Sequence, residues 1–186
     1  MTDASPPSQL KSRLTLLLVV AMFLSSFFIA AFLRFTGWQP ASTRNVGELL
    51  QPPVNLGTTQ LRRADGSPYD WSPQLHRWRL LVAPAPGCTT ACERVLDEVH
   101  RVWLTQGRKA DDLDVLWMGE LPQAGPRFRR LVPLQADPAV LSALPERGRA
   151  DAVPLYLVDP GGYVALRYPA GFDPAGVKKD LGKLLK

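Results

Sequence analysis

Residues 79–93, Arg79-Leu80-Leu81-Val82-Ala83-Pro84-Ala85-Pro86-Gly87-Cys88-Thr89-Thr90-Ala91-Cys92-Glu93, take the chain from an apolar run, across a proline- and glycine-bearing loop, into a helical pattern, and they hold both of its cysteines. A near-continuous apolar run of this length predicts a strand buried on both faces, here Trp78 to Ala83. The helix predicted from Thr90 to about Gln106 sets Cys92, Val95, Leu96, Val99, Val102 and Trp103 on one face, with Gly107 as its stop signal. Thr90 followed by Glu93 reads as a capping box, which starts the helix near Thr90 and leaves Cys88 as the exposed residue before it.

That placement points to thiol chemistry. Thiolates exchange disulfides and bind soft metals, and a helix N-terminus stabilises them with unpaired N–H groups and a partial positive charge. Two residues four apart within a helix have Cβ atoms about 5–6 Å apart, beyond the relaxed disulfide separation of about 3.8 Å, so a Cys88–Cys92 bridge requires Cys88 to sit in the loop. A dithiol redox centre, a soft-metal clip, a purely structural disulfide and two buried thiols all remain compatible with the pair at this stage.

Downstream, Leu113 to Met118 predicts a second buried strand, Pro138 to Glu146 a short helix capped by Asp137, and Asp159-Pro160-Gly161-Gly162 a hairpin between Leu155–Val158 and Tyr163–Tyr168. Pro174 to Lys186 closes the chain as a helix whose Val177, Leu181, Leu184 and Leu185 form one apolar face. Upstream, Ala64-Asp65-Gly66-Ser67 predicts a turn. Strand, helix, strand, helix, hairpin, helix, with a cysteine at the first strand-to-helix junction, is the order of an α/β thioredoxin-like fold with a central mixed sheet. Val153 and Pro154 enter the hairpin strand where such proteins carry a cis-proline beside the active disulfide, which makes both candidate binding residues for a thiol partner.

Leu14 to Leu33, LTLLLVVAMFLSSFFIAAFL, carries no charge and has about the 20 residues that span a bilayer core. It predicts a transmembrane helix over residues 14–33, and its length favours an uncleaved anchor over a removed signal. Residues 1–13 then form a cytoplasmic tail. Residues 34–55, with Gly37, Pro40, Pro52 and Pro53, form a linker, and residues 56–186 form one thioredoxin-like domain. Lys11 and Arg13 against Arg34 and Arg44 lean toward a cytoplasmic N-terminus. A cysteine pair suits an oxidising compartment, so the expected location is a bacterial inner membrane, crossed once, with the C-terminal domain in the periplasm.

The net charge is +5, of which the first 36 residues carry +2. The remainder is too small to argue for nucleic acid. Arg127, Arg129 and Arg130 read as a solvated basic face, and Asp111, Asp112 and Asp114 as loop residues before a strand.

Three stretches together resemble the SCO/SenC thioredoxin-like proteins: Leu61-Arg62-Arg63-Ala64-Asp65-Gly66-Ser67-Pro68-Tyr69-Asp70 with Arg79-Leu80-Leu81-Val82, then Cys88-Thr89-Thr90-Ala91-Cys92, then Tyr156-Leu157-Val158-Asp159-Pro160-Gly161-Gly162. The resemblance implies a membrane-anchored factor for cytochrome c oxidase assembly that binds copper(I) through Cys88, Cys92 and a histidine. The chain departs from that pattern at the histidine, because Asp151 stands at or near its place and offers a harder oxygen ligand. His100 lies eight residues beyond Cys92, about 12 Å along the helix, too far to share a metal with it, and His76 reads as a surface residue before the first core strand. Three readings follow. Cys88 attacks and Cys92 resolves a disulfide of an oxidase subunit or a copper chaperone; or the pair carries copper(I) with a non-standard third ligand; or the disulfide only braces a non-enzymatic assembly factor.

Overall fold

The computed structural model describes residues 9–36, 45–145 and 152–185, in two units divided between residues 43 and 44. The first unit is helix α1 (Gln9–Thr36). From Arg13 to Thr36 it is long and apolar enough to cross a membrane, about 36 Å at 1.5 Å per residue against a hydrocarbon core of about 30 Å. Apolar side chains such as Leu14, Phe23, Phe28 and Phe32 stand exposed around it. Three of its hydroxyls are satisfied within the helix: Ser25 and Ser26 donate back to the carbonyls of Met22 and Phe23, and Thr36 to that of Phe32. An apolar helix with its polar groups bonded inward is what a bilayer demands.

The second unit is built on one six-stranded sheet in the order β1-β6-β5-β2-β3-β4. Strands β2 (Trp78–Val82), β3 (Leu113–Met118) and β4 (Leu131–Leu134) run parallel. Strands β5 (Leu155–Val158), β6 (Tyr163–Tyr168) and β1 (Glu48–Asn55) complete the sheet through antiparallel pairs. Helices α2 (Thr90–Leu104) and α4 (Pro174–Leu184) cover one face, and α3 (Pro138–Ala143) packs on the other. Strand alternation divides the core accordingly. Leu80, Val82, Val115 and Trp117 meet Val95, Leu96, Val99 and Leu181 on the first face, while Leu81, Leu116, Met118 and Tyr156 meet Leu56, Leu61, Val140 and Leu144 on the second. This is the expected thioredoxin-like arrangement.

Three sequence expectations change. The linker read over residues 34–55 does not hold at its ends: residues 34–36 finish α1, residues 37–44 lie outside the described residues, and Glu48–Asn55 is strand β1. Pro52 and Pro53 hid this strand. They are tolerated because β1 is an edge strand and its register with β6 breaks between Leu49 and Val54. Strand β4 escaped notice for a similar reason: Pro133 cannot donate, yet its carbonyl accepts from the Ala64 N–H at 2.9 Å. Asp114 is not a loop residue. It lies within β3, 4% exposed, where it accepts from the Tyr69 hydroxyl at 3.1 Å and faces Arg77 and Arg130 at 3.5 and 3.6 Å. Arg130 is therefore half-buried in an ion pair rather than part of a solvated face.

Caps were easier to foresee. Asp137 accepts from the N–H groups of Ala139 and Val140 at the start of α3, and Asp173 does the same for Ala175 and Gly176 at the start of α4.

Candidate functional site

The parallel strands β2, β3 and β4 all point their C-terminal ends toward one edge of the sheet, the place where α/β folds open their crevices. β2 delivers the chain into Pro84-Ala85-Pro86-Gly87, where Gly87 takes a left-handed φ of +79° that a side chain would strain. Cys88 follows, half-buried, and Cys92 lies on the first turn of α2 at 1% exposure, packed in the core cluster with Val82, Trp117 and Leu155. The two sulfurs form a disulfide with the Cα atoms 5.7 Å apart, inside the usual 4.4–6.8 Å range. The loop position of Cys88 makes this reach possible, as the spacing argument required.

The helix starts at Thr90 as expected, but the capping box does not form. Thr89 is the N-cap; its carbonyl accepts from the Glu93 N–H at 3.0 Å while no side chain caps the first turn. Thr90 is already helical, so its hydroxyl sits one residue too late for that role. The first-turn N–H groups thus have no side-chain acceptor, and they surround the cysteine pair with partial positive charge.

The loop after β3 forms the facing wall of the site. Trp117 Nε1 donates to the Glu120 carbonyl at 3.0 Å, and Gly119, at φ +106°, donates its N–H to the Leu134 carbonyl at 2.9 Å. Between this wall and the cysteine loop opens a cleft of about 530 Å³, with Cys88 and Cys92 on one side, Met118 and Leu121 on the other, and Leu141 of α3 contributing apolar surface. Glu93 and Glu120 supply its charge. The sequence reading missed this wall. The signal available was topological: consecutive parallel strands bring their C-terminal loops together even when those loops carry no motif.

Val153 and Pro154 stand differently from the expectation. Both are buried at the entrance to β5, one step beyond the Val82–Leu155 register pair, so they neighbour the end of β2. Among the described residues the cis peptide bond is Gln51–Pro52, and the bond before Pro154 is trans, the form X-Pro bonds favour by about 0.5–1 kcal/mol unless their surroundings select the other. Neither residue lines the cleft.

The donors a copper ion would need are only partly present among the described residues. Cys88 and Cys92 offer two soft sulfurs, but among the described residues no group of three His, Cys, Asp or Glu side chains is placed to hold a metal. His76 ends a 3-10 turn beside a separate depression shared with Leu75, Trp78 and Asp112. His100 is stacked on Phe128 at 4.7 Å and beside Trp103 at 6.3 Å. Asp151 lies outside the described residues.

Comparison with known proteins agrees with this architecture. The family described as transmembrane-like, thioredoxin-like, C-terminal domain matches residues 78–186. No curated protein sequence matches the chain. Similar solved structures include a SCO1/SenC family lipoprotein from Bacillus anthracis str. Ames, 16% identical over 74% of this chain and 99% of the other at TM-score 0.52. Yeast Sco1 with copper bound is 13% identical over 76% of this chain and 93% of its own, at TM-score 0.51. BsSco, a member of the Sco family of cytochrome c oxidase assembly proteins in which a disulfide switch is identified, is 12% identical over 78% and 98% at TM-score 0.50. At these identities the likeness is one of fold.

Proposed function

Because the chain belongs to the transmembrane-like, thioredoxin-like, C-terminal domain family, we propose that it is a membrane-tethered thiol–disulfide protein, with the second unit, residues 44–186, as its working domain in the periplasm of a bacterium and α1 as its anchor. The observation that carries this reading is the Cys88–Cys92 disulfide at the mouth of a cleft, with one sulfur half-buried, the other in the core, and no side-chain cap on the helix that starts between them.

In the reduced protein the Cys88 thiolate, stabilised by the N–H groups of the first turn of α2, attacks one sulfur of a partner disulfide. A Cys88–partner bond forms and the partner's second sulfur leaves as a thiolate that takes a proton from water. Cys92 loses its proton and attacks Cys88 Sγ, restoring the intramolecular disulfide and releasing the partner as a dithiol. Two electrons pass to the partner, and the reverse sequence oxidises it. The partner proposed is a cytochrome oxidase subunit whose copper-site cysteines must be reduced before metal enters, or a copper chaperone serving it. Structural likeness to Sco proteins supports that choice, and the two-sulfur donor set favours redox work over copper carriage by this chain.

The test is the reduction potential of the pair together with trapping of the intermediate. A working dithiol is expected to equilibrate above about −300 mV, whereas a structural brace lies below it. In cells, Cys92→Ser is expected to accumulate a mixed disulfide through Cys88, and Cys88→Ser to accumulate none. A potential below that limit with normal oxidase assembly in Cys88→Ser would overturn the proposal.

A further inference from the structure

The cleft beside the disulfide has a charge pattern that the exchange chemistry does not require. Its apolar floor comes from Met118, Leu121 and Leu141, and its charged groups are both acidic: Glu93, immediately after Cys92, and Glu120, at the turn after β3. Both carboxylates are exposed, and among the described residues no lysine, arginine or histidine lines the space. Arg127 donates to the carbonyl of Pro122, a lining residue, and to those of Gly125 and Pro126, and is not itself among the residues that line the cleft. The partial positive charge of the α2 N-terminus acts at the sulfurs over a short range, within the first turn. A partner approaching Cys88 therefore meets negative charge at the walls before it reaches the sulfur.

We infer that this site takes its cysteines from a cationic polypeptide segment, one with lysine or arginine beside the reacting cysteine and an apolar residue to rest on Met118 and Leu121, and that it discriminates against anionic small thiols and disulfides. The inference rests on the thiol–disulfide reading above and adds the charge class of the substrate. A carboxylate pair flanking the approach raises the local concentration of cations and lowers that of anions. In an oxidising compartment this separates protein partners from anionic low-mass thiols that would otherwise reduce or cap Cys88. The step is the exchange already written: Cys88 attacks, one thiolate leaves, Cys92 closes the ring and the second leaves, so the protein loses two electrons and the substrate disulfide gains them.

The experiment uses the full chain in detergent, reduced with dithiothreitol and desalted, and follows its oxidation by two disulfides of opposite charge: cystamine, one positive charge per half, and oxidised glutathione, one net negative charge per half. Each rate is divided by the rate of the same disulfide with free dithiothreitol, which removes differences in intrinsic reactivity. The expected preference for cystamine is about tenfold at roughly 0.01 M salt, falling to about twofold at 1 M as the screening length contracts to about 3 Å. In Glu93→Gln/Glu120→Gln the low-salt preference is expected to drop to about twofold as well, the cystamine rate falling relative to that of oxidised glutathione. A preference near one in the parent protein, or one unchanged in the double variant, overturns the inference and leaves the redox reading standing. A reduced protein that reacts with neither disulfide overturns both.

Discussion

Polar chemistry is handled in opposite ways at the cysteine edge of the sheet and in its interior. Around Arg79, 1% exposed in the middle of β2, the donors are matched to acceptors: Nε to the Tyr69 hydroxyl at 3.0 Å, the terminal nitrogens to the carbonyls of Arg77, Asp159, Pro160 and Trp71. Tyr69 and Trp71 also present their ring faces to the guanidinium. Asp180, also 1% exposed, accepts from the N–H groups of Val46 and Gly47 at 2.7 and 2.9 Å, and from Tyr168 and Lys183. At the cysteine edge, by contrast, a helix begins without a side-chain cap beside a half-buried sulfur. The hydrogen bonds of Arg79 and Asp180 hold the sheet and its first strand together, although beside them Arg77 Nε and Arg130 Nε make no hydrogen bond among the described residues; the N–H groups left without a side-chain cap are available to a thiolate. The two regions are expected to separate cleanly under mutation, one through stability and the other through reactivity.

The strongest way to break that separation is Arg79→Ala. It removes a donor from the half-buried carbonyls of Arg77, Pro160 and Trp71 and from the Tyr69 hydroxyl and opens a cavity, and the lost charge-assisted hydrogen bonds and packing together cost about 3–5 kcal/mol. Urea unfolding is expected to show that loss while the reduction potential of the remaining folded protein stays within experimental error of the parent. A large shift in potential would mean that the interior network tunes the cysteine pair, and the contrast would fail. Cys88→Ser is the mirror experiment. Opening a five-residue loop is worth at most about 2 kcal/mol in the chain-entropy view, so unfolding is expected to change modestly while thiol exchange disappears.

A comparable effect on stability, but with a pH signature, is expected from Asp180→Asn. Burial alone would push this carboxyl up, yet the Gly47 N–H, the Lys183 ammonium and the Val46 N–H outweigh it and hold the group below its ordinary value of 3.8. A carboxyl depressed in the folded state stabilises above the unfolded value and loses that contribution as pH falls through the folded one. The variant is thus expected to lose about 2 kcal/mol at pH 7, the worth of a hydrogen-bonded buried charge, and to match the parent once the pH lies well below 3.8. Equal destabilisation at both pH values would place the effect in packing rather than charge.

These contrasts also explain which parts of the molecule could be read in advance. Strands β2, β3 and β5 and the face of α2 were legible because burial forces near-continuous apolar runs or a helical stripe, and Cys88 and Cys92 because thiols at a strand-to-helix loop have few bland explanations. The edge strands were not: Pro52, Pro53 and Pro133 erase the strand pattern where the ladder does not need their N–H groups. Asp114 was misplaced because a charged residue in a strand makes sense only once Tyr69, Arg77 and Arg130 are brought to it across long sequence separations. Pro154 was a candidate binding residue by likeness of position to the cis-proline of thioredoxin-like proteins, and position alone imposes no cis bond; the bond is trans. The cleft wall at Glu120 and Leu121 lacked any local signal and arises from the parallel order of β2 and β3.

Copper sharpens the same comparison at the reactive edge. The reduced protein is expected to bind copper(I) no more tightly than an ordinary dithiol, measured against a competing chelator, since two thiolates without a third soft ligand leave the ion incompletely held. Tight one-to-one binding lost in Cys88→Ser would instead direct attention to the residues around Asp151 as the source of a further ligand.

The smallest effect expected is that of Tyr69→Phe, and it tests whether the interior network is truly saturated. The hydroxyl accepts from Arg79 and donates to Asp114, so its removal leaves one charged donor and one charged acceptor each short of a partner, although both keep others. About 1 kcal/mol is the expected cost near neutral pH. Burial, and after it the neighbouring Asp114 carboxylate, pushes this phenol from 10.0 up to about 12. A raised folded-state value means that the stabilisation is whole below pH 10 and declines between pH 10 and about 12, where the unfolded chain ionises first. The parent is expected to lose stability across that alkaline window more steeply than Tyr69→Phe, so the two unfolding curves converge as pH rises. Parallel curves would mean that the phenol is hydrated in the folded state, and that the interior is less closed than its hydrogen bonds imply.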